Sequence, residues 1–141
     1  MPTSADPLLL DTSTAIALVQ PGHPKHAQVR TLLRGRALGL SGHAELETYS
    51  VLTRLPPPQR LTPASALRLI RTNFPQTKHL PVARAAGVLD ELVELGIAGG
   101  STYDALVGLA ARHHDLTLVS TDARAAATYR SLAVTFTLVH N

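Results

Sequence analysis

Two stretches far apart in the chain share one design: residues 8–19 read LLLDTSTAIALV and residues 116–125 read LTLVSTDARA. In each, a short apolar run ends in an aspartate flanked by hydroxyl-bearing residues, and small residues then resume at helical spacing. A short, continuously apolar run reads as a strand buried on both faces. An aspartate placed just after it stands where a helix N-cap is wanted. Strand, acid and helix in that order, used twice, commit the chain to parallel strands joined by helical crossovers, since a hairpin cannot connect parallel neighbours. Asp11 and Asp122 then share the carboxyl edge of the sheet, where open α/β folds place their ligands.

The remaining chain keeps this rhythm. The strand at 7–10 leads into a helix over Thr12–Val19, which Gln20-Pro21-Gly22 ends, and His23-Pro24 opens a second helix to about Gly35. Ala37–Leu40 is expected as a strand and Ala44–Arg54 as a helix stopped by Leu55 and three prolines. Thr62-Pro63 supplies an N-cap and first position for a helix to about Thr72. Further on, the pattern predicts a strand near Lys78–Leu80, one helix over Pro81–Leu95 closed by Gly96, and a helix over Thr102–His113. A strand at 116–120, a helix from Ala123 to Tyr129 and a last strand at 134–139 complete it. The expected class is α/β, a central and mainly parallel sheet covered on both faces. With 141 residues, 45% hydrophobic and 16% charged, the chain suffices for a single domain over 1–141.

Several chemistries drop out. Cysteine is absent, which removes disulfides, thiolate metal ligands and cysteine nucleophiles. The N-terminal MPTSADPLLLD has neither a basic n-region nor an apolar run long enough for a signal or a membrane span, so a cytoplasmic protein without a membrane partner is expected. A dehalogenase-type phosphatase would need an aspartate where Ser13 stands. A phosphorelay receiver would need a late lysine, and the only lysines are Lys25 and Lys78. GIAGGS lacks the GK[ST] ending of a phosphate loop, and no GxSxG elbow exists. His23, His26, His113 and His114 do not form the set of three or four convergent ligands that zinc requires. Tyr49, Tyr103 and Tyr129 read more readily as core or rim packing than as platforms for bases.

Charge is distributed unevenly. Between Lys25 and Arg84 lie ten Lys/Arg residues against two acids, Glu45 and Glu47, whereas residues 85–141 hold three arginines against six acids. One part of the surface is expected to be basic, which suits nucleic acid or an acidic protein. Long arginines also solvate helix faces with no such purpose.

Two more acids reach the rim that Asp11 and Asp122 share. Asp104 lies in the first turn of the helix preceding the 116–120 strand, and Glu47 in the first turn of the helix following the 37–40 strand. Each of the four has a plain structural role too: N-capping for Asp11 and Asp122, the helix dipole for Asp104, solvation or an ion pair with Arg54 for Glu47. Yet the chain has only ten acids, and four of them converge. A close carboxylate cluster calls for a cation. Oxygen-only donors select Mg²⁺ or Mn²⁺, ions suited to phosphoryl chemistry. Asp11, Asp104 and Asp122 would be ligands, directly or through water, and Glu47 a ligand or the group that orients the attacking water.

In this order and spacing, LLLDTSTAIALV, HAELETYSVLTRLP, STYDALVGLAARHH and LTLVSTDAR resemble the PIN-domain ribonucleases, most closely the VapC-type toxins of bacterial toxin–antitoxin pairs. The resemblance covers nearly the whole chain. It implies an α/β/α sandwich and three or four acids that bind Mg²⁺ or Mn²⁺ and cleave RNA. It also implies a homodimer and a cognate antitoxin whose flexible segment inserts a basic residue among the acids, docking on the helices at 23–35, 44–54 and 63–72. By motif the catalytic and metal-binding acids fall on Asp11, Glu47 of ETYSVLTR, Asp104 of STYDALV and Asp122 of STDAR. Glu45 lies about 200° round the helix from Glu47, so both cannot face the site, and the motif favours Glu47. Thr12, Ser13, Ser101 and Thr121 resemble supporting hydroxyls of that family, or are simply helix caps. Ser120 stands where the family often has threonine. The expected function is a metal-dependent endoribonuclease acting as a toxin. The alternatives are a non-catalytic RNA- or protein-binding module and a phosphohydrolase for small phosphate esters.

Overall fold

The computed structural model describes residues 5–140. Its elements run β1 (Leu8–Leu10), α1 (Thr12–Val19), α2 (His26–Leu33), β2 (Leu38–Leu40), α3 (Ala44–Thr53), α4 (Pro63–Asn73), α5 (Val82–Ala85), α6 (Val88–Leu95), α7 (Ser101–His113), β3 (Leu118–Ser120), α8 (Ala123–Ser131) and β4 (Phe136–Leu138). The four strands pair in the order β2-β1-β3-β4, and every pairing is parallel. Leu9 sits opposite both Gly39 and Leu118.

Alternation along each strand divides the core between the two faces. Leu8, Leu10, Leu40 and Val119 pack with Ala15, Ala17, Val29, Leu52, Ala66 and Ile70, from α1 to α4. Leu9 and Leu118 point the other way, into Leu92, Val107, Leu109, Ala125 and Tyr129 from α6 to α8. The result is the expected α/β/α sandwich. Strands this short hold because both faces are covered, and Leu9, Leu10, Leu40 and Leu118 are wholly buried.

Caps set the helix starts on the rim. Asp11 accepts the Thr14 N–H to open α1, Asp122 accepts that of Arg124 to open α8, and Thr62 accepts that of Ser65 to open α4 with Pro63 behind it. Gly96, at φ +68°, ends α6 in the left-handed conformation.

Two expected elements differ. No strand forms over 78–80: the 76–78 segment runs beside β2 and makes one isolated bridge, Ser41 with Lys78. Gln76 N–H reaches the Leu38 carbonyl and Lys78 N–H that of Leu40, but the Leu40 N–H goes to the Thr77 hydroxyl instead of a backbone carbonyl. Pro75 and Pro81 flank the segment and cannot donate, so the ladder stops. This approach is so close that a Cβ on Gly39 would collide with the Gln76 backbone. The single helix expected over 81–95 is two, α5 and α6, with Gly87 at the N-cap of the second. Glycine weakens a helix interior, and here it marks the break. The second helix begins at His26 instead of His23, because residues 23–25 form a turn in which the His23 carbonyl accepts the His26 N–H. The remaining elements match within a few residues, β3 and β4 being shorter than expected. Among the described residues no helix is long and apolar enough to cross a membrane.

Candidate active site

β1, β2 and β3 end side by side, so the residues that follow them form one rim, and α7, which runs back to the start of β3, brings its first turn there. The structure gathers all four expected acids into one cleft of about 350 Å³: Asp11, Glu47, Asp104 and Asp122, together with Thr12, Ser13, Ile16, His23, Val51, Val107 and Tyr129.

Asp11 is the most firmly held. It is only 4% exposed. Its Oδ1 accepts the Thr14 N–H at 3.1 Å, the Ser13 hydroxyl at 2.9 Å and the Thr14 hydroxyl at 2.8 Å. Its Oδ2 accepts the Tyr129 hydroxyl at 3.1 Å. The capping role is therefore real, and it fixes the carboxylate on the rim. Asp122 likewise caps α8 through Oδ1, with the Ser120 hydroxyl accepting its N–H at 3.0 Å. Arg124 stands 3.7 Å from the same oxygen.

Asp104 shows the field most clearly. Its ionisation is pushed up to about 6, first by burial and then by Asp122, Asp11 and Glu47 in turn, with Arg124 opposing. Glu47 is also raised, by burial and by Asp11, while His43 works against both. His43 lies 3.9 Å from Glu47 and stacks on Tyr103 at 5.3 Å, tying α3 to the head of α7. Burial of Tyr129, with Asp11 next in weight, holds its phenol far above the usual range, so it remains a donor. Of the plain roles open to Glu47, an ion pair with Arg54 does not form: Arg54 Nε reaches the Ser50 hydroxyl at 3.4 Å. Glu45 turns off the cleft to His79, at 3.3 Å, as the helical angle requires.

The supporting hydroxyls divide. Ser13 serves Asp11, whereas Thr12 leaves its Oγ1 buried without a partner among the described residues. Thr121 contributes its carbonyl, which accepts the Lys25 ammonium at 3.0 Å. Ser101 heads α7 and makes no hydrogen bond to the acids. Two contacts to Asp11 escaped the sequence reading. Thr14 was legible as the third residue after a cap, the position whose N–H a cap accepts. Tyr129 lies 118 residues from Asp11, and no local pattern links them.

The donors suit a hard divalent ion. They are carboxylate and hydroxyl oxygens, they repel one another, and a buried hydroxyl stands unpaired among them. Among the described residues no three His, Cys, Asp or Glu side chains are drawn together into a complete ligand set.

A model of the PIN domain matches residues 8–131. Ribonuclease VapC27 of Mycobacterium tuberculosis is 43% identical over 136 residues, covering 91% of this chain and 93% of that protein. Ribonuclease VapC40 of the same species is 42% identical over 132 residues, covering 92% and 96%. In three dimensions the chain resembles FitAcB from Neisseria gonorrhoeae, with a TM-score of 0.67, 19% identity, and coverage of 92% of this chain and 95% of that one. On the matched span and these relatives together, the chain belongs to the PIN domain family.

Proposed function

We propose that the chain is a Mg²⁺- or Mn²⁺-dependent endoribonuclease and the toxin of a toxin–antitoxin pair. One observation carries the reading: Asp11, Glu47 and Asp122 all act on Asp104, so four acids from four different elements share one electrostatic site. Capping alone accounts for two of them and for none of that convergence. The likeness to two curated ribonucleases along nine-tenths of the chain supports the choice of RNA.

Asp11, Asp104 and Asp122 would hold the ion, with Glu47 beside them. When bound, such an ion activates water and stabilises charge on the oxygens of the transferring phosphoryl group. The chain itself sets the geometry. Thr14, Ser13 and Tyr129 hold the Asp11 carboxylate in place on the rim. His43 stands 3.9 Å from Glu47, to which we assign the direction of a water towards the phosphodiester.

Antitoxin docking is supported by an apolar groove of about 610 Å³ that joins the acid cleft at His23 and is walled by Val19, Pro21, Leu52, Leu61 and Leu69. One of its walls is α4, which carries Arg68 and Arg71. A homodimer is supported by a second apolar groove, between α3 and α6.

Asp11→Asn keeps size and shape while removing the charge. It is expected to abolish RNA cleavage in Mg²⁺ or Mn²⁺ with circular dichroism unchanged, and a simple aryl phosphate is expected to be left intact by the wild type. Full cleavage by the purified variant would defeat the reading.

A further inference from the structure

We propose that His23 binds the RNA, donating a hydrogen bond from Nε2 to a non-bridging phosphate oxygen beside the acid cleft; this rests on the ribonuclease reading above. His23 lines the cleft together with Asp11, Glu47, Asp104 and Asp122, and also lines the apolar groove next to it. It is the one imidazole at the junction of the two.

Its proton is placed by its own loop. The backbone N–H of Lys25 donates to His23 Nδ1 at 3.1 Å. A ring nitrogen that accepts a hydrogen bond carries no proton, so the ring is the neutral tautomer with its hydrogen on Nε2. That excludes two roles at once. A protonated Nε2 has no lone pair for a metal, and the ring is not an imidazolium pairing with the acids. What remains is a neutral donor, and no protein group among the described residues takes it up.

The ring is also held in place. The His23 N–H donates to the Gln20 carbonyl and the His26 N–H to the His23 carbonyl, both at 3.0 Å, closing a tight turn. Lys25 then crosses to the β3–α8 connection, its ammonium donating to the Thr121 carbonyl one residue before Asp122. One lysine thus orients the ring with its backbone and fastens the loop to the rim with its side chain.

The other polar groups of the cleft make a donor valuable. The acids accept, the hydroxyls of Ser13 and Tyr129 are already given to Asp11, and the unpartnered hydroxyl of Thr12 is buried, not presented at the mouth where His23 stands between cleft and groove. An RNA strand entering here brings further acceptors, its phosphate oxygens, into a negative field. A neutral donor can bind them without neutralising the acids that hold the ion.

Two substitutions separate this role from a merely structural one. Asparagine places an acceptor where Nδ1 lies and preserves the turn; glutamine places an N–H where Nε2 lies and forgoes the turn bond. We compare wild type, His23→Asn, His23→Gln and Asp11→Asn on mixed transfer and ribosomal RNA in Mn²⁺, with melting temperature and Mn²⁺-induced stabilisation measured for each. His23→Gln is expected to keep kcat/KM within about threefold. His23→Asn is expected to lose about ten- to hundredfold, the weight of one hydrogen bond to a charged group, with melting and Mn²⁺ response unchanged. Activity retained by asparagine, or lost equally in both variants, overturns the proposal. Absence of cleavage by the wild type, or full cleavage by Asp11→Asn, instead defeats the ribonuclease reading itself.

Discussion

Asp104 ionises near 6 instead of 3.8, which makes it a source of instability at neutral pH. Its folded-state value lies above its unfolded one, so between those two values the unfolded chain loses its proton first and folding grows less favourable as pH rises. Above about 6 the penalty is complete; below 3.8 it vanishes. In chelator, Asp104→Asn should therefore be more stable than wild type at pH 7.5 by about 1–2 kcal/mol, after allowing for solvent screening of a half-buried group, and equal to it at pH 3.5. Urea titrations at the two pH values check this, and a difference that grows towards low pH would contradict the field described here. Tyr129 has the opposite character. Its phenol is wholly buried and donates to Asp11 Oδ2. Tyr129→Phe leaves a buried carboxylate oxygen without its donor and should cost about 1–3 kcal/mol in the same titrations.

At the scale of elements, α6 presents a contrast between its faces. Leu92 faces the core and is buried, while Glu91 forms a bidentate pair with Arg112 of α7 at 2.7 and 2.8 Å. On its outer side Leu89 is 73% and Val93 80% exposed, and Leu46 of α3 is 63% exposed nearby. Leu89 and Leu46 border a groove of about 490 Å³ with Val88, Leu92 and Leu106 behind it. Apolar surface gathered in this way marks an interface. If it is the homodimer surface, light scattering should find wild type as a dimer and Leu89→Glu with Val93→Glu as a monomer that melts no earlier at its own concentration. A dimeric double variant would place the contact elsewhere.

Across the whole molecule, the four acids tie α1, α3, α7 and α8 to one charge balance, so a cation bound among them should stabilise the entire fold. Mn²⁺ at a hundred times its dissociation constant adds about 2.7 kcal/mol, several degrees in melting temperature, and chelator removes it. The same ion should compete with the antitoxin in calorimetric titration if an antitoxin arginine takes its place. A melting curve indifferent to millimolar Mn²⁺ would reduce the acids to caps and surface charges.

The parallel sheet, most of the order of strands and helices and the rim position of Asp11 and Asp122 were legible in the chain, because burial period and capping are local properties that neighbouring residues express directly. Glu47 over Glu45 followed from helical angle and motif, and the structure turns Glu45 to His79. Other features depended on contacts between distant segments. Thr77 diverts the Leu40 N–H and leaves 78–80 without a ladder. Tyr129 reaches Asp11 across 118 residues, and Lys25 reaches Thr121 across 96, because the crossovers lay α8 and the β3–α8 connection beside the end of β1. Apolar spacing records how much of a side chain is buried, not which distant group it meets. Residue order therefore determined the layers, the rim and the local bonds that Ser13 and Thr14 make to Asp11, and only tertiary packing decided that the Tyr129 hydroxyl takes its other oxygen and that Lys25 fastens the His23 turn to the rim.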